Sequence, residues 1–364
     1  MIFFLTTKAH DYTVKRTLFS AMRNNSELTS RISLLPYDKL FKMKSLPVGS
    51  YIFADLERLN REYTEKAAII WNTLAEHRNQ YGFELLNNPI MSMRRYELLR
   101  NLNAQGINDF NVYRLTDVDK VKRLPVFIRD EDEHSGSATP LLYSDSELQA
   151  AIDSFAKDGK SRDNKIIVEF IDVSDSQGIY HWYGAHRVGP QIFPVFQHFS
   201  ASWVTKDSAN LLTNSGLDEL HRHYVETNPH ETILRSIFDI ARIEYGRIDY
   251  AMLNGRIQVF EINTNPISLN AKKLLYAIDA IDCPRSPNER ISLKVPKHVT
   301  LAIKKDQRKK RYLWVTERVS KILYALGLLR YEEAIIAVLR KINNLIFGVS
   351  TRRRRNLAED QENR

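Results

Sequence analysis

The sequence predicts an α/β protein of several lobes, and three observations carry that expectation. Short apolar runs alternate with helical patterns through the first ninety residues, which argues for an open α/β lobe. A continuous apolar run, KIIVEFI at 165–171, has the length of a buried strand. The segment 247–266, RIDYAMLNGRIQVFEINTNP, reads as two strands joined at Asn254-Gly255.

The elements follow in order. Residues 2–7 read as a first buried strand, and a polar stretch with a helical pattern follows. The run beginning at Tyr51 (YIFADL) is a second strand. Residues 57–80 form a helix, and 82–86 a short strand ended by Asn87-Asn88-Pro89. A helix over 91–104 carries the apolar stripe Met93, Tyr96, Leu98, Leu99 and Leu102, with Gly106 where a C-cap belongs. Strands are expected over 124–129, 165–171, 180–187, 192–204, 247–253 and 256–262, and helices over 145–157 and 230–245. The loop DEDEHSGSATP at 130–140 contains no long apolar residue. Residues 310–347 again carry helical periodicity, and the last nine residues read as disordered. The expected organisation is a lobe over 1–89, two subdomains over 90–168 and 169–296, and a basic helical tail over 297–364.

The chain has 364 residues and a formal charge of +9, with 43% hydrophobic and 27% charged residues. The charge is unevenly placed. Residues 297–364 hold 17 Lys/Arg against 7 Asp/Glu, a balance of +10, which leaves −1 for the rest. A nucleic-acid enzyme would more often carry positive charge on its body, so no specific nucleic acid is expected. The single cysteine, Cys283, cannot form an intrachain disulfide, so a reducing compartment is the default. The opening MIFFLTT lacks the long apolar core of a signal peptide, and no run reaches the ~20 apolar residues of a membrane span. A cytoplasmic location is expected.

The hairpin is where chemistry is most legible. Glu261 and Asn263 are two apart on a strand and share a face. A carboxylate and an amide oxygen are hard ligands suited to Mg²⁺. Asp249 lies on the partner strand, but a strict two-residue turn would pair it with Phe260 and send it to the opposite face. A longer loop or a bulge is therefore expected, which also brings Arg247 to the shared face.

This pattern (an acid, about a dozen residues, then Glu-x-Asn-x-x-Pro) resembles the metal hairpin of the ATP-grasp superfamily, which includes D-alanine–D-alanine ligase and the ribosomal-protein glutamate ligases. The resemblance implies an N-terminal α/β lobe and two ATP-grasp subdomains clasping ATP, with Asp249, Glu261 and Asn263 holding Mg²⁺. It implies that Arg95, before Gly106-Ile107, and Arg129, ending Pro-Val-Phe-Ile-Arg, touch ATP phosphates. Both positions are usually Lys in the family. Arginine keeps phosphate binding chemically sound, because its fork grips oxygen pairs. The loop with Ser135 and Gly136 would cover the phosphates. The 165–171 run resembles the hinge strand, assigning adenine to Glu169, Phe170 and Ile171 and ribose to Asp172 or Asp175. Lys206 and His198 would meet phosphate or acceptor, and Arg187 and Arg247 would act at the reacting centre. The resemblance covers about residues 85–270.

The implied reaction joins a carboxylate, from a small molecule or peptide, to an amine or related nucleophile through an acyl phosphate, releasing ADP. Two alternatives stand beside it: a phosphotransferase, or a nucleotide-binding protein without turnover that acts through its tail. The basic helical region 310–355 also suits contact with an anionic membrane surface at the inner face, or a homodimer.

Overall fold

A computed structural model of the protein describes residues 1–22, 26–134, 136–157, 164–204, 212–267, 270–283 and 288–293. The expectations for the tail, for Ser135 and for Lys206 fall outside these residues. Among the described residues no helix is long and apolar enough to cross a membrane.

The N-terminal lobe is built on β1 (Ile2–Thr6), followed by α1 (Tyr12–Met22), α2 (Ser26–Ser30), β2 (Ile32–Pro36), α3 (Tyr37–Leu40), β3 (Ser45–Pro47) and β4 (Ser50–Phe53). A 3₁₀ turn (Leu56–Arg58), α4 (Arg61–Tyr81) and β5 (Leu85–Leu86) complete its first pass. The strands lie in the order β2-β1-β4-β5, all parallel. Both faces are covered, which is why β1 is apolar throughout rather than alternating. Phe3, Leu5, Tyr51 and Phe53 pack with Ile70 and Leu74 of α4. Ile2, Phe4 and Ile52 face the opposite way.

Two further sheets follow. α5 (Arg95–Ala104) leads to β6 (Val112–Arg114), β7 (Val126–Asp130), α6 (Asp145–Lys157) and β8 (Lys165–Glu169). These strands form an antiparallel sheet ordered β6-β8-β7, and Leu148 of α6 packs on Val126 and Ile128. The second sheet takes β9 (Tyr180–Val188), β10 (Gln191–Ser200), β11 (Tyr245–Leu253) and β12 (Arg256–Asn263), ordered β10-β9-β11-β12. Between them run α7 (Ser215–Thr227) and α8 (Glu231–Ala241), with Leu234, Ile237 and Phe238 packed on one face of the sheet. The sequence reading did not include α7.

After the hairpin the chain returns to the first lobe. Leu274, Leu275 and Ile278 of α9 (Ala271–Asp279) pack beneath Ile2, Phe4 and Ile52, and β13 (Arg290–Ser292) pairs with β3. A buried asparagine ties lobe to sheet. Asn87 follows β5 at φ 66° and is fully buried. Its amide donates to the carbonyls of Phe53 (3.2 Å) and Tyr245 (2.7 Å), and its oxygen accepts from the backbone of Glu244 and Tyr245, each at 2.8 Å.

Candidate active site

The hairpin resolves its register problem with a bulge. Asn254 (φ 49°) and Gly255 (φ 76°) make the tight two-residue turn that Asn-Gly favours, closed by Leu253 opposite Arg256. The register then shifts at Phe260, so Asp249 faces Glu261 and Arg247 faces Asn263. One inserted residue thus brings all four polar side chains to one face, away from the face that packs on α8.

The neighbouring strand shapes this face. Gly184 of β9 stands opposite Asp249, and a Cβ there would overlap the Phe196 ring, over which the Arg247 guanidinium lies at 5.4 Å. Gly184→Ala is expected to cost about 1–3 kcal/mol through overpacking. It should also displace Arg247 from Asp249; chemical denaturation measures the first effect and a crystal structure of the variant the second. His198 stacks on Phe196 (4.3 Å between centroids) on the same face.

The cations converge on the acids. Arg247 grips Asp249 with two bonds, Nε–Oδ1 and Nη2–Oδ2, both 2.7 Å. Arg95 Nη2 and Arg129 Nη2 (3.2 Å) both donate to Glu261 Oε2. Glu261 Oε1 lies 3.2 Å from Nδ1 of His134, whose Nε2 lies 3.1 Å from Glu57. Arg58 Nη1 also lies 3.7 Å from Glu57, so four guanidiniums and one imidazole face three carboxylates. Burial works to raise the Glu261 pKa, but Arg95, His134 and Arg129 outweigh it and hold the carboxyl well below its usual range. Burial, with Arg95 beside it, lowers Arg129 to about 10, still cationic at neutral pH. For His134, burial lowers the pKa, yet Glu261 and Glu57 carry the balance upward.

Arg95 also organises the loop after β7. Its Nη1 donates to the carbonyls of Asp130 (3.0 Å), Glu131 (2.6 Å) and Glu133 (2.9 Å). The acidic lead-in that looks unsuited to a triphosphate thus offers its backbone to the site. Gly136 turns this loop at φ 96°, a left-handed conformation that glycine adopts without steric cost.

An aromatic cluster lies between the two sheets. Trp203 packs against Phe127 (5.1 Å) and Phe170 (5.7 Å), while Trp182 packs against Phe260 (5.0 Å). Ile171 joins Phe127 and Phe260 around the same core.

Several expected residues stand elsewhere or are otherwise engaged. Arg187 sits on the opposite face of β9 from the residue paired with Asp249, and its Nη1 donates to Asp239 at 2.6 Å. Strand alternation turns it away from the face that carries Asp249 and Glu261. The Glu169 carboxylate turns inward, accepting from Asn111 N–H (2.9 Å) and Tyr113 Oη (2.8 Å), so it braces β6 rather than reading a base. Asp172 accepts from Ser174, and Asp175 accepts from Gln177 and Ile179, so each caps its own turn. Glu57 and His134 were missed as site residues. For Glu57 a signal existed: it lies just past a parallel strand, at the carboxyl end where open α/β sheets bind ligands.

The donors suit Mg²⁺ in kind. Asp249, Glu261 and Asn263 offer only hard oxygens from adjacent positions on one face. Asn263 Oδ1 now accepts from the Asn265 N–H at 2.8 Å. Among the described residues no group of three or more His, Cys, Asp or Glu side chains could by itself hold a metal ion.

The chain matches no protein-family model and no curated protein. Solved structures do resemble it. D-alanine–D-alanine ligase from Bacillus anthracis complexed with ATP is 14% identical, covering 77% of this chain and 91% of that one at a TM-score of 0.44. The ATP-grasp ligase PsnB, complexed with minimal precursor, is 12% identical over 77% and 98%, at 0.44. An L-amino acid ligase from Bacillus licheniformis is 12% identical over 72% and 68%, at 0.41.

Proposed function

We propose that the protein is a Mg·ATP-dependent ligase that activates a carboxylate as an acyl phosphate for attack by an amine. The observation that carries this reading is the Phe260 bulge. It sets Asp249 directly opposite Glu261 on the site face, with Arg95, Arg129 and Arg247 converging there. A solvated hairpin would have no use for three guanidiniums packed around two acids.

Mg²⁺ held by Asp249, Glu261 and Asn263 would supply neutralisation of charge between the phosphoryl groups. Arg95 and Arg129 have the geometry to exchange a carboxylate for phosphate oxygens and hold them in line. Arg247 stands beside the acids to orient the substrate carboxylate. Its oxygen attacks the γ-phosphorus and ADP leaves; the amine then attacks the acyl carbon, phosphate leaves, and the amine proton is released. The ring cluster of Trp203, Phe127 and Phe170 would offer the base a stacking surface. The carbonyl-lined loop at 130–133 would exclude water from the acyl phosphate.

A second reading, nucleotide binding without turnover, is favoured by one observation: the two arginines at the usual lysine positions both bond Glu261 itself. The first experiment is thermal unfolding with and without Mg·ATP, in wild type and Asn263→Ala, with ADP release measured alongside. A ligand at 100 times its dissociation constant adds about 2.7 kcal/mol. The expected result is a shift of several degrees, much reduced in the variant, and ADP release that depends on added carboxylate and amine. A shift without ADP release would select the second reading. A folded wild type with no shift would defeat both.

A further inference from the structure

The two oxygens of Glu261 are held differently. Oε2 takes Arg95 and Arg129, whereas Oε1 takes His134. Arg95 is anchored by helix α5 and by three loop carbonyls, and its side chain is only 4% exposed. His134 lies just past that anchor, on the loop itself. It is positioned from the far side by Glu57 of the N-terminal lobe, whose other oxygen accepts from the Thr264 hydroxyl. The imidazole bridges the two carboxylates, and its Nδ1 also lies 3.3 Å from Arg95 Nη2. It therefore occupies the oxygen of the expected metal acid that the arginines leave open.

We propose that His134 is a latch: held by Glu57, it occupies Glu261 Oε1, and a divalent metal reaches Glu261 only when this bridge is released. The proposal rests on the nucleotide-site reading above and adds a control over it that joins three parts of the chain. Glu57 comes from the 3₁₀ turn after β4, His134 from the loop after β7, and Glu261 from β12. Metal alone must compete with the bridge and with two guanidiniums. Metal arriving with phosphate meets less competition, because phosphate oxygens offer Arg95, Arg129 and His134 other partners. The site thus takes metal and nucleotide together and discriminates against metal alone. Glu57 acts as a positioning residue, since it meets Glu261 only through His134.

The test is Mn²⁺ binding by calorimetry to the full chain, with and without ADP, in wild type, Glu57→Gln and His134→Gln. Circular dichroism confirms folding. Wild type is expected to bind Mn²⁺ alone far more weakly than with ADP. Both variants should bind Mn²⁺ alone about tenfold more tightly, narrowing that gap. A merely structural role would not tighten metal binding. Hydrogen exchange at Ala138, whose N–H donates to Ile128 at 2.7 Å, should quicken in both variants as the loop loses its tie. Unchanged or weaker binding of Mn²⁺ alone in both folded variants, with binding in the presence of ADP intact, overturns the latch and leaves the nucleotide site standing. No binding in any form even with ADP overturns the nucleotide site, and the latch with it.

Discussion

Replacing Glu261 by Gln should lower the unfolding temperature of the protein measured without nucleotide by about 5 °C. The direction is informative. In a metal site made of acids alone, neutralising one relieves repulsion and stabilises the ligand-free protein. Here Glu261 is the shared counter-ion of Arg95, Arg129 and His134, and only 12% of its side chain is exposed. Removing one member of a buried ion pair costs about 3–5 kcal/mol, because the partners stay buried without compensation. Arg129, already lowered by burial and by Arg95, is least able to bear the loss. A kilocalorie is worth roughly 1–2 °C in a protein of this size. The pH dependence has a definite sign. The folded pKa of Glu261 is depressed, so its contribution is complete above the ordinary carboxylate value of about 4.3 and fades as pH falls toward the lower folded value. The gap between wild type and variant should therefore close in acid. Thermal scans of both proteins between neutral and acid pH measure this. A variant as stable as wild type at neutral pH would mean that the three cations find other partners.

Asn87→Ala should be comparably damaging, far from any chemistry. It strands two carbonyls and two amides that Asn87 now satisfies between the N-terminal lobe and the start of β11. Buried groups left unpaired cost about 1–3 kcal/mol each, partly recovered by relaxation, so a total near 4 kcal/mol is expected. Asn87→Gly separates two causes. It loses the same bonds but removes the steric cost of φ 66°, so it should be milder than Ala by about 1 kcal/mol. Urea unfolding of the three proteins gives both differences. Equal losses in Ala and Gly would show that the left-handed backbone contributes nothing, and a small loss in both would show that the clamp is dispensable.

Local chemistry made much of this molecule readable. The apolar strands at 2–6 and 165–169, the helix ending before Gly106, and the Asn-Gly hairpin all came from patterns within a dozen residues. Asp249, Glu261 and Asn263 came from strand alternation and one bulge, which is why the need for that bulge could be stated in advance. α7 was missed, an element within the chain that follows β10. Arg187 was placed at the reacting centre because a sequence shows that a cation lies on a strand, whereas its face depends on the register with β11. Glu169 looked like a base reader until Tyr113 and Asn111 closed around it.

By itself, then, the sequence determined the strands, the hairpin and the acids, because those depend on backbone geometry between near neighbours. Only the tertiary structure decided what the acids meet. Glu57, Arg95, Arg129 and His134 lie between 127 and 204 residues from Glu261 along the chain. They reach it because the 3₁₀ turn after β4, the start of α5, and the end of β7 with its following loop meet at the same place. Such convergence is a property of packed lobes, and it leaves no mark in the local pattern of residues.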